Sequence, residues 1–400
     1  MTCRVCGSDQ WQTILDLGVT PLANRYLAPH DPLPEPRYPL VLQRCPVCWL
    51  MGLSVVVPPN VLYSQYYYRT SESQTMRAYL DELAVTCQAW LSPGDLVVEI
   101  GSNTGTLLRR FVDRGHPVLG VDPSENLAVQ ATRSHVPTVP VCYGMESLDQ
   151  LMPYGQPRLI IGRHVLAHID NVHGVCDALR RHLAPHGVCL FEVQYGRDLI
   201  MASQFDTIYH EHLSTFLVTP LGMLFHQHGL KLVDVSTAAV NGGSLVVMVQ
   251  REEEAKRPTE NVQQWFDRER TEQWGDGSRY QMFAQRVQAI QTGFGELVRS
   301  QRGSVAGDGA PAKATTLFQA CGLTARHVQW MADTTPEKQG LVMPGTHIPI
   351  RAHGEHPSAY ILTAWNYRDE ILKKEDAYLR HGGKFLTPLP MPTVLELVPA

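Results

Sequence analysis

Two cysteine pairs stand near the start of the chain, Cys3-x-x-Cys6 and Cys45-x-x-Cys48. Four thiolates in two close pairs are what a closed tetrahedral zinc site requires, because a two-residue spacer lets one tight turn aim both sulfurs at a single ion. Pro46 inside the second pair suits a knuckle-like turn. Between the pairs lie Pro29, Pro32, Pro34, Pro36 and Pro39, with no helical periodicity. So short a segment draws little stability from a core of its own, and metal binding supplies the folding free energy instead. Residues 1–62 are therefore predicted to form a small loop-and-strand zinc-binding module, four unrelated buried cysteines or two disulfides being the other readings. Four cysteine ligands leave no open coordination position, which makes the metal structural rather than catalytic.

A chain of 400 residues is too long for one ordinary core, and two or three domains are expected. The formal net charge of −5 offers nothing to attract nucleic acid or an anionic membrane. No apolar stretch approaches the length of a membrane span, and the N-terminus lacks the basic-then-apolar pattern of a signal peptide. Cys87, Cys142, Cys176, Cys189 and Cys321 are scattered through apolar runs, and free thiols of this kind point to the reducing cytosol. A monomer is compatible with this size.

From Tyr63 to Leu91 the pattern is helical, with Met76, Leu80, Leu83, Val85 and Cys87 near one face, and Pro93-Gly94 ends it. An α/β alternation follows. Leu96–Ile100, Pro117–Val121, Leu159–Ile161 and Val188–Val193 read as short buried strands, and Leu107–Arg114 as a helix. Strands separated by helical patterns predict a parallel, doubly wound, Rossmann-like sheet over residues 63–250, closed by strands at Leu230–Val235 and Leu245–Val249. Residues 251–300 are charged and helical and read as a bridge. Residues 301–400 read as a second, smaller Rossmann-like α/β domain. Its strand-to-loop-to-helix unit is Gly303–Lys313, and Tyr360–Trp365 is a further strand.

A glycine-rich turn that leaves a strand and opens a helix is where doubly wound sheets bind ligands. Here it is Glu99-Ile-Gly101-Ser-Asn103-Thr-Gly105, and Asp122 ends the next strand, where an acid accepts hydrogen bonds from ribose hydroxyls. The dinucleotide spacing G-x-G-x-x-G is not met. An acid before the first glycine and a shorter loop suit the amino-acid part of S-adenosylmethionine, which has no pyrophosphate to seat. A plain structural turn is the other reading. In the last domain, Gly307-x-Gly309-x-Pro-Ala-Lys313 lacks P-loop spacing. Lys313 either meets a phosphate near a helix N-terminus or is simply solvated.

Phe205–Phe216 is the most chemically reactive stretch, with Tyr209, His210, Glu211 and His212 in a row. A histidine beside a carboxylate is a common general-base pair, the carboxylate fixing the tautomer. Satisfied structural histidines are the alternative, and the H-E-x-x-H metal spacing is absent. His164, His168 and Asp170 follow the strand at 159–161. His168 either orients something near the cofactor or is a buried, hydrogen-bonded ring.

These residues together resemble the sugar C-methyltransferases that act on nucleotide-linked ketosugars in antibiotic biosynthesis. The resemblance runs through the zinc cysteines with Pro21-Leu-Ala-Asn24, the loop at 99–105, Phe205–Ser214 and Gly242-Gly-Ser244. It continues through Gly309–Lys313, Lys338-Gln-Gly340, Pro344–Ile350 and Ala364–Tyr367. It implies a zinc module, a central S-adenosylmethionine-dependent methyltransferase domain, and a C-terminal domain that helps bind the nucleotide. It implies His212 as the catalytic base, with Tyr209 and Glu211 in the active site. Glu99, Gly101, Asn103, Gly105 and Asp122 are then cofactor residues, and Cys3, Cys6, Cys45 and Cys48 the zinc ligands. Tyr68 (of Tyr66-Tyr67-Tyr68), His168, Asn241, Lys313 and His347 are assigned to a nucleotide-sugar substrate, a deoxythymidine diphosphate ketodeoxysugar methylated at C3 beside a 4-keto group. The chain departs from the family pattern at Asn241, Thr215, Asp308 and His164. The other readings are C-methylation of a non-sugar keto substrate and a non-catalytic S-adenosylmethionine-binding scaffold.

Overall fold

The apolar runs at Val97, Val118, Leu159 and Val188 lie side by side, because strands covered on both faces bury every residue rather than every second one. In the computed structural model, which describes residues 2–31, 34–63, 73–240, 242–255 and 258–396, they form the middle of a seven-stranded sheet. Its order is Leu230–Ala238, Ser244–Arg251, Val188–Gln194, Leu159–Arg163, Val97–Ile100, Val118–Val121 and Thr138–Val139. Ser244–Arg251 is antiparallel to both neighbours, with Val247 paired to Val235 on one side and Phe191 on the other. The remaining pairings are parallel. The chain leaves Val97–Ile100 for Val118–Val121 on one side and returns to Leu159–Arg163 on the other. The sheet's switch point therefore lies between residues 100 and 163, where a doubly wound sheet opens a crevice.

The C-terminal sheet repeats this logic. Its order is Ile350–Arg351, Trp330–Ala332, Val305–Asp308, Ala359–Leu362, Phe385–Thr387 and Thr393–Leu395, all parallel except the last pair. Its switch point falls between Val305–Asp308 and Ala359–Leu362. Four of these strands were not anticipated. Runs of two or three residues are too short to display a period.

The N-terminal sheet contains Gln12–Pro21, Arg37–Arg44 and Met51–Leu53, and its fourth strand is Ser214–Thr215 from the middle of the chain. Met51 pairs with Thr215 and Gly52 with Ser214. The predicted helix at 63–91 contains Gln74–Cys87, started by the Ser73 side chain accepting from the Met76 N–H. The predicted bridge becomes helical at Glu260–Thr271 and Ser278–Arg299, with Trp274 fully buried between them. No helix among the described residues is long and apolar enough to cross a membrane.

One carboxylate ties the bridge to the central sheet. Glu269 is fully buried and accepts from the Val218 N–H at 2.7 Å, the Thr219 N–H at 2.8 Å, the Thr219 hydroxyl at 2.7 Å and the Tyr195 hydroxyl at 3.1 Å. It thus satisfies the open amides that begin the helix Val218–Gln227. Glu269→Ala leaves several buried donors without an acceptor and is expected to destabilise the fold by about 3 kcal/mol, read from urea unfolding. A change within experimental error would show the linkage to be dispensable.

Candidate active site

The carboxyl end of Val97–Ile100 turns sharply through Gly101 at φ 67°, Asn103 at φ 52° and Gly105 at φ 73°. A Cβ on Gly101 would sit 2.1 Å from Val165 Cγ1, so the turn needs glycine both for its conformation and for the close approach. Asp122 locks this loop to the next strand, its Oδ2 accepting from the Asn103 N–H at 2.8 Å and its Oδ1 from the Ser124 N–H at 2.9 Å. Glu99 is buried, and its Oε2 has no hydrogen-bond partner among the described residues. Burial pushes its carboxyl up to about 8, against the pull of Arg163. A buried acceptor left open at a switch-point crevice suits a cationic, hydrogen-bonding group. The ammonium of the methionine portion of S-adenosylmethionine is one, so the residues present fit that cofactor.

Beneath the crevice lies a charged layer. Glu192 is fully buried, with Oε2 accepting from Arg163 Nε at 2.9 Å and the Tyr79 hydroxyl at 3.0 Å, and Oε1 2.8 Å from His164 Nε2. Burial pushes this carboxyl up, but His164 and Arg163 together hold it below the usual carboxylate range. His164 stands at φ 53°, the left-handed region, with its N–H bonded to the Glu192 carbonyl at 2.7 Å.

The reactive stretch wraps over this layer. His212 Nδ1 lies 2.7 Å from the Thr207 carbonyl. A carbonyl only accepts, so Nδ1 carries the hydrogen and Nε2 presents a lone pair. The ring keeps part of its surface accessible. Burial nevertheless lowers its proton affinity to about 4. Tyr209 packs on it with ring centres 4.0 Å apart, and His168 meets it edge-on at 5.1 Å. His168 Nδ1 is 3.1 Å from the Tyr63 hydroxyl, and burial, then His212, hold His168 well below its ordinary 6.5. Two aromatic rings thus pack on an imidazole that is neutral at physiological pH, and Tyr63 backs one of them.

One expectation needs correcting here. The tautomer of His212 is set by Thr207, not by Glu211. Both Glu211 oxygens instead accept from the Asn24 side-chain amide, at 2.9 and 2.8 Å. His210 points to the N-terminal sheet, its Nε2 3.3 Å from the Tyr38 and Pro39 carbonyls. Sequence reasoning missed Tyr63, Thr207 and Asn24 as functional neighbours. A backbone carbonyl leaves no signature in a sequence, and Asn24 carried a signal only as part of Pro21-Leu-Ala-Asn24.

In the C-terminal domain, Lys313 is buried at the start of Ala312–Ala320, not solvated. Its ammonium lies 3.8 Å from the Trp365 ring centre and donates to Asn366 Oδ1. Burial lowers it to about 8, opposed by Asp206. Trp365 Nε1 donates to Asp206 Oδ2 at 2.6 Å, and Asp206 Oδ1 is buried with no partner among the described residues. Both Lys313 and Trp365 stand at the C-terminal sheet's switch point. His347 is elsewhere: it is exposed, at φ 54°, in the turn after Met343, and makes no described contact with this cluster or with His212. Tyr68 and Asn241 lie outside the described residues.

The sulfurs of Cys3, Cys6, Cys45 and Cys48 lie within 4.8 Å of one another, with Cys3 and Cys48 at 3.4 Å and Cys6 and Cys45 at 3.5 Å. Four convergent thiols with no other polar ligand are a donor set for zinc, which binds them as thiolates. Zinc held by all four would have no open position for a reacting group, so its contribution would be structural.

A doubly wound sheet with one antiparallel strand, a short glycine turn and an acid after the second strand define a nucleoside-cofactor methyltransferase fold beside a zinc module. Family models agree: a zinc binding domain matches residues 3–63, a methyltransferase domain residues 68–235, and a C-methyltransferase C-terminal domain residues 239–390. The C-methyltransferase NovU of Streptomyces niveus is 39% identical over 405 residues, spanning 98% of this chain and 96% of that protein. The chain belongs to the C-methyltransferase family and is an S-adenosylmethionine-dependent enzyme with a zinc-binding domain. Among solved structures, magnesium protoporphyrin IX methyltransferase of Synechocystis PCC 6803 aligns at 15% identity and TM-score 0.35, covering 46% of this chain and 87% of that one. CcbJ methyltransferase of Streptomyces caelestis aligns at 14% and 0.35, covering 48% and 95%.

The His212 ring is expected to titrate near pH 4 by NMR, since its folded value lies below its ordinary 6.5. Between those values the unfolded chain takes up a proton that the native chain refuses, so stability falls as pH falls through the window. His168 adds to it with the same sign. Stability that rises on acidification from 6.5 would contradict this. Stripping zinc with a chelator is expected to lower the melting temperature and to expose four titratable thiols.

Proposed function

We propose that this enzyme transfers a methyl group to C3 of a nucleotide-linked 4-ketodeoxysugar through an enolate formed by His212. Carbon is a weak nucleophile unless a neighbouring carbonyl acidifies its proton, and a 4-keto group does this for C3. The observation that carries the reading is the His212 imidazole itself: neutral, its Nδ1–H fixed on Thr207, and its ring against His168, which follows the Val165 that packs on the Gly101 turn. His212 takes the C3 proton at Nε2, and the Thr207 carbonyl steadies the imidazolium that results. The Tyr209 phenol is the donor to the enolate oxygen, and His168, held by Tyr63, orients the sugar.

Bound S-adenosylmethionine supplies an electrophilic methyl group on a cationic sulfur. The chain's own task is to bring the carbanionic carbon to near-attack distance and keep water away. Glu99 and the 101–105 turn hold the methionine part, and Asp122 the ribose. Glu211 acts by fixing its segment to Asn24 rather than by touching the imidazole. Lys313 beside Trp365, at the C-terminal switch point, is the cationic group for the diphosphate of a deoxythymidine carrier. Tyr68 and Asn241 complete the substrate contacts in this reading.

Incubating the 4-ketosugar nucleotide with enzyme in deuterated water, without methyl donor, is expected to exchange the C3 proton. His212→Asn should abolish this exchange and lower kcat by about 1,000-fold while S-adenosylmethionine still binds. Undiminished turnover in that variant would remove His212 as the base. Lys313→Met is expected to raise KM for the nucleotide sugar by about tenfold with little change in kcat. An unchanged KM would free Lys313 from the carrier.

A further inference from the structure

Among the side chains by which the zinc module touches the reactive stretch, one lies between two metal ligands. Arg4 follows Cys3, and its side chain is only 3% exposed. Its Nε donates to Asp170 Oδ1 at 2.8 Å and its Nη1 to the Leu213 carbonyl at 3.0 Å. Asp170 is two residues beyond His168, and Leu213 is the residue after His212. We propose that Arg4 is a positioning residue for the methylation step, fixing the loop of His168 against the loop of His212 from a base anchored by zinc. The proposal rests on His212 being the base.

The geometry favours a rigid link over a loose surface pair. A guanidinium is planar, and its donors hold fixed directions, so two acceptors bound on different edges are kept at one separation. Those acceptors belong to the two loops whose imidazoles face each other at 5.1 Å. The stem of Arg4 is equally constrained. The Gly7 N–H bonds to the Cys3 carbonyl at 2.9 Å and the Cys3 N–H to the Ser8 carbonyl at 2.7 Å, which closes the knuckle around it. Cys3 and Cys6, which would hold the zinc, flank Arg4 on both sides.

The same contact is shielded by backbone. The Leu53 N–H also donates to the Leu213 carbonyl, at 3.0 Å. A Cβ on Gly52 would lie 3.0 Å from Arg4 Nη1 and 3.2 Å from the Leu213 oxygen. A side chain at position 52 would wedge the guanidinium off its carbonyl, so glycine there is what lets the strand cover the link.

The test uses full-length R4M and R4K, with zinc content, S-adenosylmethionine affinity by calorimetry, and kcat and KM on deoxythymidine diphosphate 4-keto-6-deoxyglucose as the acceptor probe, together with its proton exchange in deuterated water. R4M is expected to keep zinc and cofactor affinity, and to lose about 100-fold in kcat and in exchange with KM little changed. R4K should recover about tenfold of this by restoring one donor, and added guanidinium ion should partly rescue R4M. R4M within twofold of wild type, or a loss lying wholly in KM, overturns the proposal. If R4M loses its zinc or fails to fold, D170A decides. Its carboxylate is 58% exposed, so removing it frees one arm of Arg4 without touching the knuckle. A kcat loss of about tenfold supports the link, and wild-type kcat overturns it. H212N measured in parallel separates the two readings. A fully active H212N removes the base, whereas an inactive H212N beside a fully active R4M removes only the Arg4 link.

Discussion

Residues 204–216 have almost no regular structure, yet they carry the imidazole, and a buried irregular segment persists only if its polar groups are satisfied from outside. Here all three sheets do so. The N-terminal sheet pairs with Ser214–Thr215, accepts His210, and sends Asn24 to Glu211. The C-terminal domain donates Thr316 Oγ1 to the Ile208 carbonyl at 3.0 Å and Trp365 Nε1 to Asp206. The central sheet contributes Gln194, whose amide donates to Thr207 Oγ1 at 3.0 Å and to Gln204 Oε1 at 3.2 Å. His212 then hangs from Thr207 inside its own loop. Its position is the resultant of all three layers.

Electrostatics divide the same site into two storeys. Below, Glu192 is ionised because Arg163 and His164 face it, and such a buried carboxylate is tolerable only with that complement of donors. Above, His212 and His168 are both driven toward the neutral form by burial. A protonated imidazole cannot accept a carbon-bound proton, so in the proposed role of His212 burial costs some proton affinity but secures the neutral form across the neutral range. A base of low affinity suits a proton already acidified by an adjacent carbonyl.

Much of this was legible in the sequence, for reasons that can be named. The cysteine spacing encodes a coordination geometry, and the continuous apolar runs at Val97, Leu159 and Val188 encode strands covered on both faces. The turn at Gly101 was visible because only glycine permits its contact with Val165. The reactive side chains near His212 were visible as residue types. Their partners were not. The Thr207 carbonyl has no residue identity, Asn24 lies 187 residues from Glu211, and Arg4 lies 209 residues from the carbonyl it holds. His347 shows the converse limit: a motif position does not reveal which way a turn faces, and this one faces solvent.

The two doubly wound sheets place their switch points on opposite flanks of one loop. On one side stand Glu99 and the 101–105 turn; on the other stand Lys313 and Trp365, joined to the loop through Asp206. In the function proposed above, an acceptor spanning them places its reacting end at the cofactor and its anionic carrier at the lysine. Each domain alone then recognises only half of the reaction, and a small acceptor lacking the carrier loses the contacts of the second sheet. Binding energy from the remote end is thereby available to fix the carbon against the methyl group, which is how a non-reacting carrier raises the rate of a step it takes no part in. Asp206, whose Oδ1 has no partner among the described residues, is the acid that offsets the buried Lys313 ammonium, so in the same proposed reading it and the anionic carrier share one cation.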